Sequence, residues 1–187
     1  MPRPDTGFEV TAERELYKAS FFSVVADEIT APDGKSFERE IIHHPGAVAI
    51  VAMEGDDVVM IRQYRAPLRR AILEVPAGKL DVPGEPPEEC ARRELAEEVG
   101  RTAAQWTLLG ELDNSPGFTD EHTYCFLAEQ LTKVERDTQG AEEHFMTVEK
   151  MPLSRLWPLV ESGELVDAKT IIAMALAERA LKHRTSP

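Results

Sequence analysis

Glu94, Glu97 and Glu98 crowd together in the stretch "GKLDVPGEPPEECARRELAEEVG", Gly78 to Gly100. On a helix, positions i, i+3 and i+4 share a face. Like charges at that spacing cost an isolated helix about 0.2–0.5 kcal/mol per pair. The neighbouring Arg92 and Arg93 could balance them on a solvated face. The other use of such a cluster is to hold a hard cation. Mg2+ takes oxygen ligands in an octahedron at about 2.1 Å and keeps several waters. Glu94 and Glu98 would point the same way, and Glu97 could ligate directly or through water.

That chemistry needs a helix, and the local sequence supplies one. Pro86 and Pro87 stand near its start, acidic residues fill its first turn, and Gly100 is placed as a stop. Cys90, Ala91, Leu95 and Val99 form an apolar stripe at helical spacing. The three glutamates fall mostly off that stripe, which predicts an open face.

The rest of the chain reads as short strands and a few helices. "APDGKS" is a turn signal between two strand-like runs, because Pro presets φ and Gly accepts φ > 0. "GAVAIVAM" is a continuous apolar run suited to a buried strand, and "VVMIRQYR" and "AILEVPAG" follow as further strands. "WTLLGELDNSPGFTDEHTYCFLAEQL" reads as strand, loop, strand, and "EEHFMTVEKMPL" adds one more. The tail reads as two helices broken at Ser162-Gly163. The pattern predicts an α+β sandwich, sheets covered by helices.

Composition sets limits. The chain has 187 residues, 21 Lys plus Arg against 34 Asp plus Glu, and a formal net charge of −13. Such an acidic surface disfavours nucleic acid and anionic membranes as partners. A local metal can still reverse the field inside a cleft and admit a small anionic substrate. Cys90 and Cys125 lack zinc spacing and make no disulfide framework, so two buried free thiols are expected. With no signal-like apolar segment at the N-terminus and no long apolar run, a cytoplasmic protein is expected.

The opening stretch also has the order of a known signature. Gly78, Glu85, Arg93-Glu94-Leu95, Glu97-Glu98 and Gly100 resemble the Nudix box of hydrolases that act on nucleoside-diphosphate linkages. Two positions depart from it: six residues rather than the usual five separate Gly78 from Glu85, and Arg101 stands where an apolar residue usually follows the last glycine. The resemblance implies an α/β/α sandwich of the Nudix type. It implies that Glu94, Glu97, Glu98 and the carbonyl of Ala77 hold Mg2+, with Mn2+ as an alternative. It also implies that Glu85 and Arg93 form a structural ion pair, and that Gly78 and Gly100 are structural.

Outside the box, "IRQYR", "EVPAG" and "SPGFTDE" resemble the ADP-ribose pyrophosphatase branch. That resemblance implies a small N-terminal β-sheet extension, residues 1–45, exchanged between two subunits, and a catalytic domain, residues 46–187. It implies that Arg39 reaches the partner's site, that Arg65 contacts the diphosphate or ribose, and that Gly117 and Phe118 lie on a loop beside the substrate. The catalytic base would come from "TQGAEEHFM": Glu143 is preferred and Glu142 retained. Phe21 and Phe37 are candidates to stack on adenine, with core packing as the alternative. The expected activity is hydrolysis of ADP-ribose to AMP and ribose 5-phosphate by a homodimer. The alternatives are other nucleoside diphosphate sugars, such as ADP-glucose or GDP-mannose, and a non-catalytic nucleotide sensor.

Overall fold

The computed structural model of the chain describes residues 6–136 and 143–185, the side chains of 143 and 185 excepted. Its strands are β1 (Glu9–Lys18), β2 (Ser23–Thr30), β3 (Ser36–His43), β4 (Ala47–Glu54), β5 (Asp57–Arg65), β6 (Arg70–Glu74), β7 (Ala77–Lys79), β8 (Arg101–Asp113), β9 (His122–Lys133) and β10 (Thr147–Pro152). Its helices are α1 (Pro87–Val99), α2 (Leu156–Ser162) and α3 (Ala168–Thr185). Two compact units result. One comprises the chain up to Gly46 together with Asp113–His122, and the other comprises Ala47–Leu112 and the chain from Thr123 onward.

The smaller unit is an antiparallel three-stranded sheet in the order β1-β2-β3. The "APDGKS" turn links β2 to β3, with Gly34 at φ +82° and its N–H donated to the carbonyl of Ala31. The segment 113–122 belongs to this unit because it hydrogen-bonds β3. Ile42 N–H donates to the Phe118 carbonyl at 2.8 Å, and Asp120 N–H donates to the Ile42 carbonyl at 3.2 Å.

The larger unit is built around β4, the predicted buried strand. Its sheet runs β10-β5-β4-β9-β8, with β6 on β5 and β7 on β4. β4 pairs antiparallel with β5 through Ala52–Glu54 and with β7 through Ala47–Ala49, and parallel with β9 along Ala47–Ala52. Successive side chains of a strand face opposite ways. Accordingly Ala49, Val51 and Met53 pack with Leu156, Leu159, Ala173, Met174 and Ala177 of α2 and α3. Val48, Ile50 and Ala52 pack with Cys90, Ala91, Leu95 and Val99 of α1. A continuous apolar run is what a strand covered on both faces requires. The result is helix, sheet and helix in three layers, the expected α+β sandwich.

α1 ends where the sequence places its stop. Gly100 adopts φ +63°, and its N–H returns to the carbonyls of Ala96 and Leu95. A Cβ there would also stand 3.0 Å from the Val134 carbonyl. The extra residue before Glu85 is absorbed in a turn, with Glu85 N–H donated to the Val82 carbonyl and Gly84 at φ +78°. No helix among the described residues is long and apolar enough to cross a membrane.

Candidate active site

Arg93 is the hub of the glutamate helix. Its Nε and Nη2 donate to Glu85 at 3.1 and 3.0 Å, a bidentate pair. Its Nη1 donates to Glu94 at 2.8 Å and to Glu97 at 3.2 Å. Glu85 holds Arg93 above its ordinary pKa, and Arg93 in turn pulls the Glu85 carboxyl below the usual carboxylate range. Fork geometry explains why an arginine stands here, since a lysine ammonium offers no matched pair of donors.

Glu98 takes a different partner. Its Oε2 accepts the N–H of Ala77 at 2.9 Å, and the residue is buried. The open face expected from the apolar stripe therefore holds for Glu94 and Glu97 better than for Glu98. Glu98 meets the first residue of β7, which supplies that N–H. A buried carboxylate needs such a donor.

Glu94 lies directly over Gly78. A Cβ added to Gly78 would meet Glu94 Cδ at 2.0 Å and its Oε1 at 2.2 Å. The positive-φ glycines do not include Gly78, so space rather than backbone conformation demands glycine here.

This donor set fits a hard divalent cation in chemistry. Glu85, Glu94 and Glu97 face one guanidinium, and Glu98 adds a further carboxylate, so the cluster keeps a formal negative charge. All its donors are oxygens, as Mg2+ prefers. Among the described residues no three acidic, His or Cys side chains already meet in a metal-ready group. Glu94 and Glu97 lean on Arg93, and ion binding calls for their side-chain torsions to turn from it.

The other expected residues belong to other elements. Arg65, at the end of β5, donates its Nε to Glu74 at 2.8 Å. Its two Nη groups have no hydrogen-bond partner among the described residues. Arg39 on β3 lies over the Phe37 ring, 4.5 Å from its centroid, and donates to the Glu38 carbonyl. Gly117 and Phe118 are on the loop held by β3, with Phe118 exposed. Phe21 is 41 % exposed and stacks edge-on with Phe22 and His44. Of the two candidate bases, Glu142 lies outside the described residues. So does the side chain of Glu143, whose backbone opens a 3-10 turn, Glu143–Phe145.

Two groups of residues escaped the sequence reading. Glu74 is almost fully buried, yet it accepts from Arg65 and, at 2.6 Å, from Lys169. An acid inside the apolar run "AILEV" is its sole signal, and its second partner stands far along the chain. Asp120 accepts from His43 Nδ1 at 2.6 Å and from the N–H of His44 at 2.8 Å.

Comparison with known proteins gives the family. The NUDIX domain family model matches residues 42–173. The chain is 41 % identical to the ADP-ribose pyrophosphatase of Bacillus subtilis over 164 residues, 87 % of this chain and 88 % of that one. It is 41 % identical to the ADP-ribose pyrophosphatase of Mycobacterium tuberculosis over 165 residues, 88 % of this chain and 80 % of that one. The crystal structure of an ADP compounds hydrolase superimposes with a TM-score of 0.85 at 23 % identity, covering 98 % of both chains, and shares the fold. Box helix, sandwich and family model coincide: the chain belongs to the Nudix family.

Proposed function

We propose that the chain is a divalent-metal-dependent hydrolase of ADP-ribose, adding water across the diphosphate bond to release AMP and ribose 5-phosphate. The observation that carries this reading is the pairing of Gly78 with Glu94 and of Ala77 with Glu98. These contacts set the carboxylates of α1 against the start of β7, whose Ala77 carbonyl would join them. The residues that would hold the ion are Glu94, Glu97, Glu98 and Ala77. Bound there, Mg2+ or Mn2+ would neutralise diphosphate charge and lower the pKa of a coordinated water.

The remaining roles belong to the chain itself. Glu85 and Arg93 brace the loop against the helix. Arg65, tethered through Nε, keeps both Nη groups for a diphosphate oxygen. Glu143 or Glu142 would accept the proton of the attacking water. Arg39 would act in a partner's site within a homodimer that exchanges the β1–β3 sheet. The exposure of Val10, Leu16 and Tyr17 on β1 supports that assembly. Two close relatives named for ADP-ribose favour this substrate over ADP-glucose and GDP-mannose.

The test is a panel of nucleoside diphosphate sugars incubated with Mg2+ or Mn2+, followed by phosphatase treatment and measurement of released phosphate. ADP-ribose should be turned over fastest. A flat response across the panel would sink the substrate assignment. Glu98→Gln should lower kcat by orders of magnitude in a folded protein, and unchanged turnover would sink the metal assignment.

A further inference from the structure

The segment Glu74–Gly78 is held at every residue, and two of its restraints come from a helix outside the box. Asp167 caps α3: its Oδ2 accepts the Thr170 N–H at 3.0 Å and the Thr170 hydroxyl at 2.6 Å. Because that hydroxyl proton goes to Asp167, the Thr170 oxygen is oriented to accept the N–H of Val75, at 3.0 Å. Lys169 bridges Asp167 at 2.9 Å and the buried Glu74 at 2.6 Å. Glu74 divides its oxygens, Oε1 to Lys169 and Oε2 to Arg65. From the opposite side, Ile50 N–H donates to the Pro76 carbonyl at 2.9 Å, Ala77 N–H donates to Glu98, and Glu94 covers Gly78.

We propose that Asp167, Lys169 and Thr170 are positioning residues with two separate outputs. Thr170 fixes the backbone that presents the Ala77 carbonyl to the metal. Lys169, through Glu74, fixes the guanidinium of Arg65 for the diphosphate. The proposal rests on the ADP-ribose hydrolase reading given above. Burial supports it: Thr170 is fully buried, and Glu74 is 1 % exposed. A buried carboxylate between two cations is well defined only while both remain. With Lys169 removed, Glu74 has one cation left and Arg65 is free to pivot about a single contact. Removal of the Thr170 oxygen orphans the N–H of Val75, two residues before the ligating carbonyl.

The two outputs give the experiment its contrast. Thr170→Val, Thr170→Ser and Lys169→Met are compared with the unmodified chain in three measurements. These are Mn2+ binding followed by the loss of its free-ion EPR signal, steady-state kinetics on ADP-ribose, and amide hydrogen exchange over residues 74–78 without metal. Thr170→Val should weaken Mn2+ binding about tenfold or more, the range found when partners behind metal ligands are removed. It should also speed exchange at Val75, and Thr170→Ser should restore both. Lys169→Met should raise KM for ADP-ribose with Mn2+ affinity unchanged. The proposal is overturned if Thr170→Val binds Mn2+ as the unmodified chain does, or if both variants lower metal affinity and raise KM alike. An unmodified chain that binds no Mn2+ overturns the metal reading itself. Hydrogen exchange then still decides whether Thr170 restrains the loop.

Discussion

The Glu94 carboxyl occupies the space that a side chain on residue 78 would fill, since a Cβ on Gly78 would stand 2.0 Å from Glu94 Cδ. Of the two groups, the Glu94 side chain is the one that can move. Gly78 is paired to Val48 of the central strand, and Glu94 is held by Arg93. Gly78→Ala should therefore rotate Glu94 away from the loop. Overpacking of this kind costs about 1–3 kcal/mol. On the proposed role of Glu94 as a metal ligand, displacing it by about 1 Å should lower kcat by about a hundredfold. Kinetics and a denaturant midpoint on the same variant check both numbers. An alanine variant with full kcat would show that Glu94 is not a ligand.

Arg93 supplies the positive charge between Glu85, Glu94 and Glu97. Arg93→Met should destabilise the metal-free protein by about 1–3 kcal/mol, because it leaves part-buried carboxylates without their donor. Arg93→Lys should recover only part of that loss, since the bidentate contact to Glu85 is gone. The pH dependence has a definite sign. Glu85 is held below the usual carboxylate range by Arg93. Its contribution is present above the unfolded carboxylate pKa and fades as pH falls through the lowered folded value. Arg93→Met should abolish that acid-side slope. Added Mg2+ should restore part of the lost stability, by taking over the missing cation among the glutamates.

His43 and Asp120 hold the loop that carries Gly117 and Phe118 onto β3. The contact to Asp120 raises the His43 pKa above 6.5, against a smaller opposing effect of burial, and Glu13 and Asp27 add to the rise from β1 and β2. The Asp120 carboxyl is pushed up by burial, yet its bonds from His43 and the His44 N–H leave it below its ordinary value. Stability from the raised histidine is complete below pH 6.5 and is lost as pH rises through its folded pKa. Imidazole titration by NMR should place His43 above 6.5, and Asp120→Asn should bring it down. Amide exchange at Ile42 and Asp120 should quicken above the folded pKa. A His43 pKa that Asp120→Asn leaves unmoved would refute the latch.

How far the sequence disclosed this molecule depended on range. The continuous apolar run of β4 and the apolar stripe of α1 are local signals: the first marked a strand covered on both faces, and the second gave α1 its packed face. The Gly100 stop is local as well, written in one residue type. The turn before Glu85 absorbed an extra residue without disturbing the Glu85–Arg93 pair, because Gly84 accepts a left-handed backbone. What remained illegible was pairing across the chain. Nothing in "VDAKT" reveals that Lys169 meets Glu74, far back along the chain. The burial of Glu98 was missed for the same reason: its partner is a backbone N–H, which every residue but proline carries, so no side-chain type announces it.

Cys90 makes the Glu85–Arg93 brace observable without any substrate. Its thiol donates to the Lys79 carbonyl at 3.3 Å, and Arg93 Nη2 lies 3.5 Å from its sulfur. Burial pushes its pKa up to about 12, with the charge of Glu94 adding to the rise and Arg93 opposing it. Cys125 is pushed up to about 11 by burial alone. A thiol reagent needs both thiolate and access, so neither cysteine should react at pH 8 in the native protein, and both should react in denaturant. Removing Arg93 acts on the two factors in opposite senses. It takes away the cation that favours the Cys90 thiolate, but it also takes away the guanidinium that lies against the sulfur. Access changes by exposing a buried atom, whereas the thiolate is already scarce, so access should dominate. In Arg93→Met, Cys90 should become modifiable while Cys125, packed on the other face of the sheet, stays protected. Mass spectrometry after a timed iodoacetamide pulse reads the two sites separately. Equal labelling of both would mean global unfolding, and labelling of neither would mean that Arg93 does not cover Cys90.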